Sequence, residues 1–169
     1  LYLSSPVNVT LEITSRCNLN CVYCCLGGNE ENRKEMDTFE IMSVIEQIIR
    51  LRPFRISIFA REPLMREDVL FKVLERLRNC LIHITLNTNA TLITDKIAQR
   101  LVQLGVRKFI VSIDGTEDVH NNLRDGTFNK VVSGIKNLVK YGGNVVVSTV
   151  VNKINFNDDF EKLVNIVTE

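Results

Sequence analysis

A chain of 169 residues, 45% hydrophobic and 24% charged, has enough apolar material for one domain with a real core. Its formal net charge of +1 gives no electrostatic case for nucleic acid or a membrane surface. No apolar run reaches the roughly 18 residues of a spanning helix, and the N-terminus lacks a signal-peptide pattern. Five cysteines, four of them crowded into positions 17–25, are an odd count and do not read as a disulfide framework, so a reducing, cytoplasmic setting is expected. The chain begins with Leu1 rather than Met and stops inside a helical pattern, which reads as a piece of a longer protein.

Residues 7–14 alternate apolar and polar and predict a first strand. A cysteine-bearing loop follows, then a polar loop over residues 27–35. Asp37 and Glu40 form a capping-box pattern ahead of a helix with Phe39, Met42, Ile45, Ile48 and Ile49 on one face, closed by Pro53. Residues 55–60 predict a second strand. Residues 67–79 predict a second helix with Leu70, Val73, Leu74 and Leu77 inward. A third strand covers residues 82–87. A third helix starts at Thr94, carries Ile97, Leu101 and Leu104 inward, and ends at Gly105 as a C-cap. Residues 108–113 predict a fourth strand. Residues 127–141 predict a fourth helix with Val131, Ile135, Leu138 and Val139 inward, followed by a fifth strand over 145–151 and a fifth helix over 158–167.

Strict strand–helix alternation with short connections implies an α/β fold with a parallel sheet and right-handed crossovers. An open doubly wound sheet and an incomplete barrel both satisfy it. A dinucleotide fold needs a Gly-x-Gly-x-x-Gly turn after its first strand, and the cysteine loop occupies that place. In barrel-like folds chemistry gathers at the C-terminal strand ends. Here those ends carry the cysteines, Arg61-Glu62-Pro63, Asn87-Thr88-Asn89, Ser112 with Asp114, and Asn152.

The loop reads Cys17-Asn18-Leu19-Asn20-Cys21-Val22-Tyr23-Cys24, three thiols spaced four and three apart. Thiolates are soft ligands, and three on one short loop can converge on one metal centre. The spacing is uncommon for zinc, which usually takes two cysteine pairs or a cysteine pair and a histidine pair. A 4Fe–4S cluster normally takes four cysteines, so three would leave one iron open to another ligand.

This Cys-x3-Cys-x2-Cys run, with an aromatic residue before the third cysteine, resembles the signature of the radical S-adenosylmethionine (SAM) superfamily. The resemblance implies a 4Fe–4S cluster on Cys17, Cys21 and Cys24 with SAM chelating the fourth iron, reductive cleavage of SAM, and a 5′-deoxyadenosyl radical that abstracts a substrate hydrogen. It implies a partial TIM-like (β/α)6 barrel. Residues 1–169 would be its core domain, with five βα units present and the sixth strand missing, leaving an exposed parallel edge. Ala60-Arg61-Glu62-Pro63 is similar to the family's Gly-Gly-Glu-Pro, with both glycines replaced; that segment would hold the SAM ammonium. Thr88-Asn89-Ala90-Thr91-Leu92 resembles Thr-Asn-Gly-Thr-Leu, Ser112-x-Asp114-Gly115 the fourth-strand Ser-x-Asp-Gly, and His120-x3-Arg124 the following His-x3-Arg. Ser112 and Arg124 would contact the ribose or carboxylate of SAM. With Tyr23, Ala60, Arg61, Glu62, Asn89 and Asp114 they form the implied cofactor-binding set.

The last two segments look most like the branch of anaerobic sulfatase-maturating enzymes and peptide maturases, which implies a peptide or protein substrate. The chemistry implies a flavodoxin or ferredoxin as electron donor. Other readings stay open: an iron–sulfur electron carrier or binding protein without radical chemistry, and a structural zinc domain. Each site residue also has a plainer reading, Glu62 as a helix cap, Arg124 as a surface charge and Asn89 as a turn residue. Cys25 reads as a bystander, Cys80 as a small buried hydrophobe and His83 as a strand residue satisfying a core hydrogen bond. His120 is a weak candidate for any role, and Gly27-Gly28 is too short for a phosphate loop.

Overall fold

A computed structural model describes residues 5–24, 34–157 and 160–168. Its five strands are β1 (Asn8–Leu11), β2 (Arg55–Ile58), β3 (His83–Thr88), β4 (Val106–Ser112) and β5 (Val145–Ser148). They form one sheet in the order β1-β2-β3-β4-β5, every pair parallel. A doubly wound sheet reverses its strand order partway, whereas this one runs strictly in sequence, as a barrel does. The incomplete-barrel expectation therefore holds, with β1 and β5 as the two edges.

The helices are α1 (Thr38–Leu51), α2 (Glu67–Leu77), α3 (Asp95–Gln103), α4 (Glu117–Leu123), α5 (Phe128–Lys140) and α6 (Phe160–Thr168), with a 3-10 turn at Pro63–Arg66. The capping box starts α1 as expected: the Asp37 carboxylate accepts from the Glu40 amide and Glu40 returns the bond to the Asp37 amide, both at 2.8 Å. The buried stripe of α1 is Ile41, Ile45 and Ile48, spaced four and three, and this phase turns Phe39 outward to 81% exposure, against expectation. Val139 is likewise exposed, because Val131, Ile135 and Leu138 define the inner face of α5 and Val139 lies about 100° round from Leu138. The expected inward residues of α2 are all buried, and Gly105 caps α3 at φ +89°. The core fills the space between helices and sheet, with Ile56, Ile58, Leu86, Phe109, Val111 and Ile113 from the sheet side.

Two ladders stop short of their apolar runs because side chains take over the bonding. Past β1, the Thr14 hydroxyl and Ser15 amide both turn to Glu35 at 2.7 Å. Past β5, the Thr149 hydroxyl donates to the Ile113 carbonyl and the Val150 amide donates to Asp114 Oδ1. Helix α4 escaped the sequence reading, since its seven residues, about two turns, bury only His120 and Leu123. His83 is exposed and stacks on Phe54 at 4.7 Å between ring centroids instead of serving the core. Cys80 is only partly buried, its thiol near the Arg76 carbonyl. Cys25, Gly27 and Gly28 lie outside the described residues. Among the described residues, no helix is long and apolar enough to cross a membrane.

Candidate functional site

The cysteine loop leaves the C-terminal end of β1 and is pinned from several sides. The Arg16 carbonyl accepts from the Glu62 amide, and the Val22 amide donates to Leu123 at the end of α4. Asn18 reaches Thr91, and the Asn20 amide reaches the Asp125 carboxylate. Leu19 is the apolar anchor, 9% exposed. Cys24 closes a turn onto the Cys21 carbonyl. Cys17 and Cys21 are half-buried, Cys24 is exposed, and none of the three is in a disulfide. Burial pushes the thiols of Cys17 and Cys21 above the ordinary range, with Arg61 pulling Cys17 down and Arg124 pulling Cys21 down. Both would have to shed a proton on taking a metal.

The three thiols line one cavity of about 430 Å³ at the C-terminal ends of the strands. The wall is completed by Leu19 and Tyr23 from the loop, Phe59, Ala60 and Arg61 after β2, Asn87, Thr88 and Asn89 on β3, Ser112 on β4, Arg124 after α4, and Val150 after β5. Among the described residues, no three His, Cys, Asp or Glu side chains are gathered tightly enough for a single metal ion. Three soft thiolate donors, each able to take a separate iron, fit a four-iron cube with one iron left open.

Glu62 and Asp114 stand one layer behind this wall, each with no solvent exposure. The Glu62 carboxylate accepts from the Leu64 amide, the Thr88 hydroxyl and the Asn89 amide at 2.8–3.1 Å. It thus caps the 3-10 turn and fixes the end of β3. Burial pushes its carboxyl up to about 7, against the pull of those donors. Asn89 in turn donates to Asn18 Oδ1 at 3.0 Å and to Cys17 Sγ at 3.9 Å.

Asp114 Oδ2 accepts from Arg124 Nε at 2.5 Å and from the Tyr23 phenol, while Arg124 Nη2 donates to the Tyr23 oxygen. Burial and the Asp114 carboxylate hold the Tyr23 phenol well above its ordinary pKa, so it stays neutral. Arg124 Nη1 lies 3.8 Å from Cys21 Sγ. His120 supports this group from behind: its Nδ1 accepts from the Asp114 amide, its Nε2 pairs with Thr127 Oγ1 at 3.2 Å, and the Thr127 hydroxyl donates to the Arg124 carbonyl. Burial, and then Arg124, lower the His120 pKa to about 4, in keeping with a neutral ring whose Nδ1 accepts.

Of the residues singled out in the sequence, Cys17, Cys21, Cys24, Tyr23, Ala60, Arg61, Asn89, Ser112 and Arg124 share the wall. Glu62 and Asp114 hold other wall residues in place. Neither Ala60 nor Arg61 has positive φ, so the two lost glycines are not required by the backbone here; Ala90, at φ +59°, does occupy the left-handed region in its Thr-Asn-Ala segment. Sequence reasoning named Thr88 only within a strand-end segment, without its bond to Glu62, and missed Thr127 as the partner of His120. It also missed Glu35, which binds Thr14, Ser15 and Arg16, with Arg66 at 3.6 Å.

A family model described as the radical SAM superfamily matches residues 11–167. The AdoMet-dependent heme synthase of Methanosarcina barkeri is 31% identical over 160 residues, covering 92% of this chain and 45% of that protein. The mycofactocin maturase MftC of Mycobacterium tuberculosis is 28% identical over 156 residues, covering 90% of this chain and 40% of that protein. Among solved structures, SuiB of Streptococcus suis bound to the precursor peptide SuiA superposes with a TM-score of 0.78 at 21% identity, over 98% of this chain and 37% of that one. That likeness shows the fold. The chain spans about 40–45% of the length of these curated relatives.

Proposed function

The chain belongs to the radical SAM superfamily, and from that premise we propose that Cys17, Cys21 and Cys24 hold the family's 4Fe–4S cluster with SAM beside it in the same cavity. When bound, that pair of cofactors supplies a one-electron cleavage of a sulfonium and, through it, abstraction of a hydrogen atom from substrate. The observation that carries the reading is the convergence of three cysteine thiols with Ser112, Asn89 and Arg124 on one cavity.

Each residue then has a defined task. The three cysteines bind as thiolates. Ser112 and Arg124 stand on the SAM side, Arg124 contributing its positive charge toward the carboxylate while Asp114 and Tyr23 engage its Nε and Nη2. Tyr23 holds Arg124, and Asp114 fixes both. Glu62 acts by holding Asn89 and the turn at Leu64, which leaves Ala60 and Arg61 as the second-strand contribution to the SAM side. Leu19, Phe59 and Val150 supply an apolar part of the wall.

The substrate in this reading is a peptide or protein. The MftC relationship supports it, as does a fold shared with a protein solved with a precursor peptide. Flavodoxin or ferredoxin would deliver the electron. The test is anaerobic reconstitution of the full-length protein, followed by iron and sulfide analysis and a SAM-cleavage assay. About four irons at this site and formation of 5′-deoxyadenosine are expected. Alanine at Cys17, Cys21 or Cys24 abolishes both, and Cys80→Ala leaves both intact. Protein that binds no iron would overturn the reading.

A further inference from the structure

Arg124 is buried to 8% exposure and held at four points besides its contact with sulfur. Its amide bonds the His120 carbonyl, its own carbonyl accepts from Thr127, Nε bonds Asp114 and Nη2 bonds Tyr23. The last two of these bonds orient the guanidinium, and the remaining nitrogen, Nη1, faces Cys21 Sγ at 3.8 Å. We infer that Arg124 is a positioning residue that sets the electron affinity of the metal centre through an N–H···S contact to Cys21, with Tyr23 and Asp114 fixing the fork. The inference rests on the reading of Cys21 as a cluster ligand.

A thiolate sulfur that accepts a hydrogen bond from a cation donates less charge to its iron. The reduced centre, which carries one more negative charge, gains most from this contact, so the potential rises. Asp114 neutralises the ion pair as a whole, yet the guanidinium is the nearer charge to the sulfur, and the low-dielectric surroundings keep the contact effective. The geometry requires all three partners. A lysine at this position would keep the charge but could not bond Asp114, Tyr23 and Cys21 together, since the planar fork does that. Tyr23→Phe removes one hold on the fork while leaving Arg124 and Asp114 in place.

The experiment is a potentiometric titration of the reconstituted, full-length protein without SAM, followed by electron paramagnetic resonance, for the unaltered protein, Arg124→Lys and Tyr23→Phe. Omitting SAM removes any effect of Arg124 on that ligand. Both variants are expected to be harder to reduce. For Arg124→Lys, the reduced-to-oxidised ratio at fixed potential should fall about tenfold, which for one electron is a shift of about −59 mV. The Tyr23→Phe shift should be smaller and of the same sign.

Iron retained in both variants with an unchanged potential overturns the inference and leaves the site assignment standing. Failure of the unaltered protein to bind iron overturns the assignment and the inference together. If Arg124→Lys alone loses iron, Tyr23→Phe decides: a negative shift supports the inference and no shift overturns it. Iron lost from both variants with circular dichroism unchanged overturns the inference, since the residues then retain the centre rather than tune its potential. Iron lost together with the fold assigns the residues a structural role and overturns the inference.

Discussion

The Glu62 carboxylate and the Asn89 amide meet at 2.8 Å in a layer where Glu62 has no solvent exposure, tying the end of β2 to the end of β3. Glu62→Ala would strip acceptors from the Asn89 amide, the Leu64 amide and the Thr88 hydroxyl together. Orphaned buried donors cost about 1–3 kcal/mol each, partly relieved by entering water, so a loss of about 3–5 kcal/mol is expected in urea unfolding. Glu62→Gln keeps one acceptor oxygen but turns an NH2 toward a donor, and should fall between the two.

His120 makes stability depend on pH. Its folded pKa near 4 lies below the ordinary 6.5, so between these values the unfolded chain binds a proton that the folded one does not. Stability should therefore fall as pH drops from 6.5 to 4, by about 3 kcal/mol, and be unaffected by this group above 6.5. Glu62 acts with the opposite sign: with its carboxyl raised to about 7, stability is lost as pH rises from 4.5 through 7. The two windows overlap, so the total curve is flattened. The difference in urea unfolding between the unaltered protein and His120→Gln across pH 4–7 isolates the histidine. A difference independent of pH would refute its neutral, buried state.

Gly134 on α5 packs directly on the Ala90 backbone. A Cβ there would lie 2.3 Å from the Ala90 carbonyl oxygen, which cannot move without disturbing Asn89. Gly134→Ala should cost about 2 kcal/mol or more and lower the melting temperature by roughly 5 °C or more. Gly142→Ala, with φ +80° but nothing within 4 Å, should cost only the left-handed penalty of about 1 kcal/mol.

Glu35 latches the far side of the cysteine loop. Burial alone would raise its pKa, but bonds from Arg16, Thr14 and Ser15 lower it to about 2. Its contribution is thus full above pH 4.5 and lost as pH falls toward 2. Glu35→Ala should cost about 2 kcal/mol at neutral pH. In the reconstituted protein it should also speed iron loss to a chelator, since Ser15 and Arg16 lead directly into Cys17. Equal chelation rates would separate the latch from the metal site.

The parallel sheet was legible because each apolar strand run is followed by a helical stripe, whereas the in-sequence strand order rested on the cysteine loop and the resemblance it carries, since a doubly wound sheet has the same alternation. Element ends were less so. The runs after β1 and β5 look like strand in one dimension, and only the partners Glu35 and Asp114, distant in sequence, show why the ladder stops. The cavity wall was largely legible from residues just past strand ends. What the pattern could not show is depth: Glu62 and Asp114 look like wall residues in a motif and stand behind it in space. His120 reads only as a weak candidate in the sequence because its partners, Asp114 and Thr127, sit six and seven residues away on other elements.

The sulfurs and their nitrogen donors are far apart along the polypeptide: 72 residues separate Cys17 from Asn89, and 103 separate Cys21 from Arg124. At a synthesis rate of about 5–20 residues per second, Arg124 emerges from the ribosome roughly 5–20 s after Cys21. During that interval the nascent thiols have neither their pocket nor their donors, and only oxygen and stray metals to meet. With the proposed cluster on these cysteines, iron delivery belongs after translation of α4, and expression without oxygen should raise the yield of protein that can still be loaded.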